Sequence, residues 1–179
     1  TMNTFKHKSL YAALAGLGAL GATGAAQAVS VNHDGLGQVL IYPYYTVRDK
    51  VVGAAPFDTY LSVVNTTNSA KAVKVRFIEG KNSAEVLDFN LWLSKHDVWV
   101  AGVIKTAAGA GVYTPDKSCT VPKVASDPAN PTPFVNFAYA GDGAGDSLDR
   151  TREGYIEIIE MGVVLSKTVE TSVTHVAGE

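Results

Sequence analysis

Residues 73–77, VKVRF, alternate apolar and charged side chains. Successive side chains of a β-strand point to opposite faces of the sheet, so this alternation predicts a strand with one face in the core and with Lys and Arg in water. Runs rich in β-forming residues recur between turn signals, and no segment has a convincing helical period. Pro43 cannot donate a ladder hydrogen bond, so its strand is expected at a sheet edge or with a bulge. The predicted strands are 39–47, Thr59–Val64, 73–77, 86–93, 98–104 and 155–164.

This spacing of short strands predicts an all-β fold, namely an antiparallel β-sandwich of the immunoglobulin-like or Greek-key type. An open Greek-key barrel is the alternative. Two hairpins are expected, the first joining Thr59–Val64 to 73–77 and the second joining 86–93 to 98–104. Residues 107–149 are rich in Gly, Pro, Ala and Asp and are expected to form a long irregular insert.

The N-terminus has the pattern of an export signal. Lys6 and Lys8 precede an uncharged run of Leu, Ala and Gly over 10–25, and Ala26-Gln27-Ala28 matches a cleavage site. A transmembrane anchor is the alternative, but the apolar run is shorter than the ~20 residues that a bilayer requires. We therefore expect a cleaved signal peptide, 1–28, followed by a single β domain, 29–179. The expected location is the periplasm, the outer-membrane surface or the extracellular space.

Charge and motifs exclude several function classes. The formal net charge is −2, and removal of two lysines with the signal makes the rest more acidic, which argues against nucleic acid as a partner. No stretch after the signal could span a membrane as a helix, so no transmembrane segment is expected in the mature chain. The H-E-x-x-H, G-x-S-x-G, P-loop and C-x-x-C signatures are absent. A non-enzymatic protein is therefore favoured, although the sequence does not decide this point.

Two tryptophans are candidate ligand-binding residues. In the expected hairpin of 86–93 with 98–104, Trp92 faces Trp99 on the polar side of the strands, which Asp88 also occupies. Two indoles on a polar face could stack against a sugar ring. The alternative is that both pack against a neighbouring segment.

The glycine-rich loop of residues 141–149 contains three carboxylates, Asp142, Asp146 and Asp149. Carboxylate and backbone oxygens are the ligands that calcium prefers, so these residues form a candidate calcium site. Arg150 and Arg152 follow the loop and could neutralise the acids instead. No other cofactor is expected.

Cys119 is the only cysteine in the chain. An odd cysteine in an exported protein indicates a missing disulfide partner, a buried structural thiol or a catalytic thiolate. Neither His96 nor His175 is linked to it by a local motif. The chain starts with Thr before a plausible initiator Met2 and ends after the β-rich stretch 163–176. The sequence thus favours truncation at the C-terminus, a disulfide partner beyond Glu179, and an accessible loop around Cys119.

Four stretches, "GLGQVLIYPYYTVRD", "VKVRFIEGKNSAEVLDFNLWLS", "KHDVWVAGV" and "REGYIEIIEMG", resemble exported proteins of Gram-negative bacteria that bear only a generic cell-surface description. The resemblance covers most of residues 35–165. It implies a cell-surface location and a longer full-length chain, but it brings no characterised activity and no catalytic residue.

The sequence therefore predicts an exported cell-surface or periplasmic module with a structural or adhesive role. Its partners would be a surface polysaccharide or other surface proteins. One alternative is a carbohydrate-binding module that uses Trp92 and Trp99. Another is a hydrolase whose site lies in the 107–149 insert.

Overall fold

The computed structural model describes residues 32–51 and 53–175. The predicted signal peptide, 1–28, lies outside the described residues. All described strands and helices belong to one compact unit that begins at Leu36. In the described part of the chain, no helix has the length and apolar composition needed to cross a bilayer.

The described residues form nine β-strands, two 3-10 turns and one short α-helix. The strands are β1 (Val39–Thr46), β2 (Thr59–Val64), β3 (Lys71–Glu79), β4 (Glu85–Leu93), β5 (Val98–Lys105), β6 (Ala110–Tyr113), β7 (Thr120–Val121), β8 (Thr132–Pro133) and β9 (Glu153–Val163). The 3-10 turns are Phe137–Tyr139 and Leu148–Arg152, and the helix α1 is Lys167–Val173.

The strands pair into two antiparallel sheets, as predicted for a β-sandwich. The five-stranded sheet has the order β1-β9-β3-β4-β7, and the four-stranded sheet has the order β2-β5-β6-β8. Strand β1 lies at the edge of its sheet, and its register with β9 shifts between Tyr42 and Tyr45. Both expectations for the Pro43 strand, an edge position and a bulge, are therefore confirmed.

The core lies between the two sheets. In β4 the alternation places Phe89, Leu91 and Leu93 inside, and in β5 it places Trp99 and Val103 inside. The rings of Phe89 and Trp99 meet edge to face with centroids 5.8 Å apart, which joins one sheet to the other. This packing is the reason that strands with only one apolar face form a stable layer pair.

The expected hairpin of β2 with β3 is wrong. Strand β2 pairs with β5, and β3 pairs with β4 and β9 in the other sheet. The connecting loop crosses between the sheets, and the buried Asn65 holds it there. Its Nδ2 donates to the carbonyls of Ser69 and Ser94, each at 2.8 Å, while its Oδ1 accepts from Thr67. This side chain satisfies backbone groups that a hairpin turn would satisfy locally.

The expected hairpin of β4 with β5 is also wrong, because the loop between them crosses from the five-stranded to the four-stranded sheet. The buried carboxylate of Asp97 accepts from the N–H groups of Ser94 and Val98, both at 2.9 Å. The N–H of Asn65 donates to the Asp97 carbonyl at 2.8 Å, so the two crossing loops lie side by side and support each other.

The 107–149 segment is less irregular than expected, because it contributes β6, β7 and β8. Strand β6 pairs with β5, β7 pairs with β4, and β8 pairs with β6, so the segment completes both sheets. Strands of two to four residues are too short to show a recognisable alternation, which is why the sequence pattern missed them. Likewise, the β-rich stretch 163–176 contains the helix α1 rather than a further strand.

A buried ion cluster holds the glycine-rich loop against β3. Glu79 is fully buried, and its carboxylate lies 2.8 Å from Arg150 Nη2, which also lies 2.7 Å from the Asp142 carboxylate. The backbone N–H groups of Lys81, Asn82 and Ala84 donate to the same Glu79 carboxylate. The Arg150 guanidinium lies 3.8 Å from the ring centroid of Tyr139. Every close partner of Glu79 in this cluster is thus a donor.

Candidate functional site

The outer face of the five-stranded sheet has ion pairs at its centre and exposed apolar side chains, among them Val39 and Ile41, on its edge strand β1. Lys74 on β3 pairs with Asp88 on β4. Arg76 on β3 lies 2.6 Å from the Glu85 carboxylate and 2.7 Å from the Glu157 carboxylate, so it bridges β4 and β9. Such cross-strand ion pairs are typical of a face that is in contact with water.

The outer face of the four-stranded sheet has a different chemistry. Alternate residues of β2 and β5 face outward there, and several are large and apolar: Tyr60 is 71% exposed, Val64 51%, Val98 46% and Val100 39%. We call this surface the uncharged face, because none of its side chains has a formal charge. Its members are Tyr60, Ser62, Val64, Val98, Val100, Gly102 and Tyr113. Exposed apolar side chains that adjoin one another on one face are typical of a protein's interaction sites.

One row of the uncharged face forms a shallow groove. Gly102 of β5 is paired with Tyr60 of β2 on one side and with Tyr113 of β6 on the other. A Cβ at position 102 would lie 2.5 Å from Cε1 and 3.0 Å from Cζ of Tyr113, so the tyrosine ring occupies the space above this glycine. The groove has a volume of about 330 Å³, and Ser62, Val100 and Pro115 also line it. The absence of a side chain at position 102 therefore lets the Tyr113 ring approach the backbone of β5 closely.

The environment of the groove favours the neutral form of the Tyr113 hydroxyl. Desolvation raises the pKa of the Tyr113 hydroxyl, and the neighbouring Tyr60 and the Asp58 carboxylate raise it further. A neutral hydroxyl both donates and accepts hydrogen bonds. The groove thus offers flat apolar ring surface together with polar groups that carry no charge, which suits binding rather than acid–base chemistry.

The two tryptophans do not form the candidate sugar platform, and Trp99 instead packs in the core, as the alternative expected. Trp92 lies opposite Ala72 in the five-stranded sheet, whereas Trp99 lies opposite Val63 in the four-stranded sheet. Trp99 is fully buried in the core, and only Trp92 is partly exposed. The predicted facing pair is therefore wrong, because it depended on a hairpin that the chain does not form.

The three acids of the glycine-rich loop lie in different environments. Asp142 pairs with Arg150, and the Asp149 carboxylate lies 3.1 Å from Arg48 and 3.2 Å from Arg152. Asp146 is exposed. Within residues 32–51 and 53–175, no three His, Cys, Asp or Glu side chains converge as a metal site would require. Asp142 and Asp149 are thus paired with arginines, which was the alternative expected from the sequence. The calcium assignment stays a prediction.

Cys119 lies in an accessible loop, as expected. Its thiol is free and exposed, and its carbonyl accepts a hydrogen bond from the Trp92 N–H at 3.0 Å. Cys119 and His175 line a common depression of about 390 Å³, and His175 Nδ1 lies 3.3 Å from Asp97 Oδ1. A thiol–imidazole hydrogen bond, which nucleophilic catalysis requires, is not among the contacts of the described residues. A hydrolase site in the 107–149 segment stays a prediction.

We expect Cys119 to react with a thiol reagent in the native protein nearly as fast as in the urea-unfolded chain, because its side chain is exposed. Ellman's reagent measures both rates, and Cys119→Ser provides the blank. A thiol that reacts only after unfolding would contradict the exposed position.

A larger cleft of about 520 Å³ lies beside β1 and β9, and Arg48, Lys81 and Arg150 line it. Each cation already has a partner. Arg48 lies 2.7 Å from the Glu153 carboxylate, Lys81 Nζ donates to the Ala144 carbonyl at 2.6 Å, and Arg150 is in the buried ion cluster. These three cations are therefore already paired or hydrogen-bonded within the protein. The uncharged face remains the stronger candidate for a binding site.

The groove could not be recognised from the sequence, for an identifiable reason. The alternation in Thr59–Val64 already places Tyr60, Ser62 and Val64 on one face. Tyr113, however, lies in a strand of four residues within the segment that was expected to be irregular. No protein-family model, no curated protein and no solved structure matches the chain. The assignment of the candidate site therefore depends on its geometry alone.

Proposed function

We propose that the protein is an exported, non-enzymatic module of the bacterial cell surface that has a structural or adhesive role and binds its partner through the uncharged face. The observation that carries the proposal is the exposure of four large side chains on this face, namely Tyr60, Val64, Val98 and Val100. Large apolar side chains that are grouped on one sheet face and exposed to water indicate a surface that a partner covers.

The contrast between the two sheets supports this assignment. The outer face of the five-stranded sheet has paired charges, such as those of Lys74 and Asp88, whereas the outer face of the four-stranded sheet has none. If both faces served only to contact water, both would be expected to have the polar alternation of a half-solvated sheet. The signal-like N-terminus and the sequence resemblance to exported proteins support the location.

A charge placed in the uncharged face is expected to abolish binding. Labelled full chain should bind to Gram-negative outer-membrane fractions, and Val100→Asp should weaken this binding by more than about tenfold, because a buried unpaired carboxylate is costly. Val163→Asp is the matched control, since Val163 is similarly exposed (44%) but lies in the five-stranded sheet.

The binding curve of each labelled variant measures the effect, and equal melting temperatures establish that both variants fold. If Val100→Asp and Val163→Asp bind as the original chain does, or if the original chain does not bind, the proposed function is wrong.

A further inference from the structure

The groove of the uncharged face has the chemistry of a surface that recognises sugar rings. The Tyr113 ring lies close above Gly102 and is only partly buried, so part of the ring remains available to a ligand. Tyr60, at 71% exposure, stands beside it across β5. A pyranose has apolar C–H groups on its faces and hydroxyls on its rim, so it matches a flat aromatic surface edged by hydroxyl groups.

We infer that the uncharged face binds a neutral polysaccharide whose sugar rings stack on Tyr60 and Tyr113. This inference rests on the proposed function and specifies the partner. The groove volume of about 330 Å³ is at the lower end of the roughly 300–1,000 Å³ found for small-ligand sites. It suits one or two sugar units of a longer chain that continues over Val100 and Val98.

The absence of charged residues from the groove lining favours a neutral ligand. The side chains that line the groove are tyrosine, serine, valine, alanine, leucine, glycine and proline, and none has a formal charge. An anionic polysaccharide would lose hydration at this surface and would gain no ion pair in return. A neutral sugar loses less hydration, and Ser62 and the tyrosine hydroxyls can replace part of its hydrogen bonding with water.

Affinity electrophoresis of the full chain tests the inference. The gels contain dextran, galactomannan or mixed-linkage β-glucan as neutral probes, and alginate as the anionic probe. At least one neutral probe is expected to retard the protein, and alginate is expected to leave its mobility unchanged.

Variants of Tyr60 identify the surface. Tyr60→Ala should weaken retardation by more than about tenfold, because it removes the stacking ring, whereas Tyr60→Phe keeps the ring and should stay within about threefold. Tyr44→Ala is the matched control, since Tyr44 is 59% exposed but lies on β1 of the five-stranded sheet. Tyr60 is highly exposed, so its variants are expected to fold, and their melting temperatures check this.

The outcomes separate this inference from the proposed function. If no neutral probe retards the protein, if alginate retards it equally, or if Tyr60→Ala has no effect, the polysaccharide inference is wrong. In that case, binding to envelopes that Val100→Asp abolishes and that protease treatment of the envelopes removes would assign the face to a protein partner. A dimer in sedimentation that Tyr60→Ala dissociates would assign it to a second copy of this chain and would also overturn the inference.

Discussion

Glu79→Gln is expected to lower the free energy of unfolding by about 3 kcal/mol or more, which is typical of removing one partner of a buried ion pair. Glu79 is fully buried, and its carboxylate accepts from Arg150 and from the N–H groups of Lys81, Asn82 and Ala84. A glutamine amide would direct an N–H₂ group at these donors and would leave Arg150 with Asp142 as its remaining acidic partner. Urea denaturation at neutral pH measures the change.

Glu85→Gln is the matched control for this substitution. Glu85 pairs with Arg76 at 2.6 Å, but both side chains are about one-third exposed, so its loss should cost less than about 1 kcal/mol. If the two variants lose the same stability, the cluster around Glu79 does not behave as a buried ion pair.

The same cluster predicts a pH dependence. Burial alone raises the pKa of the Glu79 carboxyl, but the hydrogen bonds from Arg150 and from three backbone N–H groups outweigh it, so the pKa lies below its ordinary value of 4.5. The hydrogen bond from Arg150 likewise holds the pKa of Asp142 well below its ordinary value of 3.8. The unfolded chain therefore binds more protons than the native state in this acidic range, and stability is lost as the pH falls below these ordinary values toward the folded pKa values. Glu79→Gln should flatten this loss.

Trp99→Ala is expected to cost about 3–5 kcal/mol, because it removes a large buried side chain and leaves a cavity between the sheets. The Trp99 ring meets Phe89 of the opposite sheet at 5.8 Å and is fully buried. Its Nε1 has no hydrogen-bond partner within the described residues. Trp99→Phe should therefore cost less than Trp99→Ala, because it retains a ring and removes an unsatisfied donor.

Trp92→Ala is the internal comparison, with an expected cost of about 1 kcal/mol, because Trp92 is partly exposed opposite Ala72. Urea denaturation of the three variants tests the order, and iodide quenching of tryptophan fluorescence checks which indole is accessible. If Trp92→Ala costs as much as Trp99→Ala, the assignment of Trp99 to the core and of Trp92 to the outer face is wrong.

Part of the candidate site could be predicted from the sequence. The alternation in Thr59–Val64 places Tyr60 and Ser62 on the face opposite Leu61, because a side chain's face in a strand depends only on its position in the strand. Tyr113 and Gly102 could not be assigned to the same groove, because their proximity depends on the pairing of β5 with β6. The tryptophan prediction failed for the same reason, since it needed a particular partner strand.

The sequence by itself thus determined local features of the chain. These are the β class, the inward and outward residues of β3 and β4, and an edge position or a bulge for the strand with Pro43. These follow from steric rules that act within a few residues. Tertiary structure alone decided which strands became neighbours. Asn65 and Asp97 form hydrogen bonds that direct two loops across the sandwich, although the same residues are equally compatible with hairpin turns. Strand pairing depends on burying both sheets' apolar faces together, which is a property of the whole core and of no single segment.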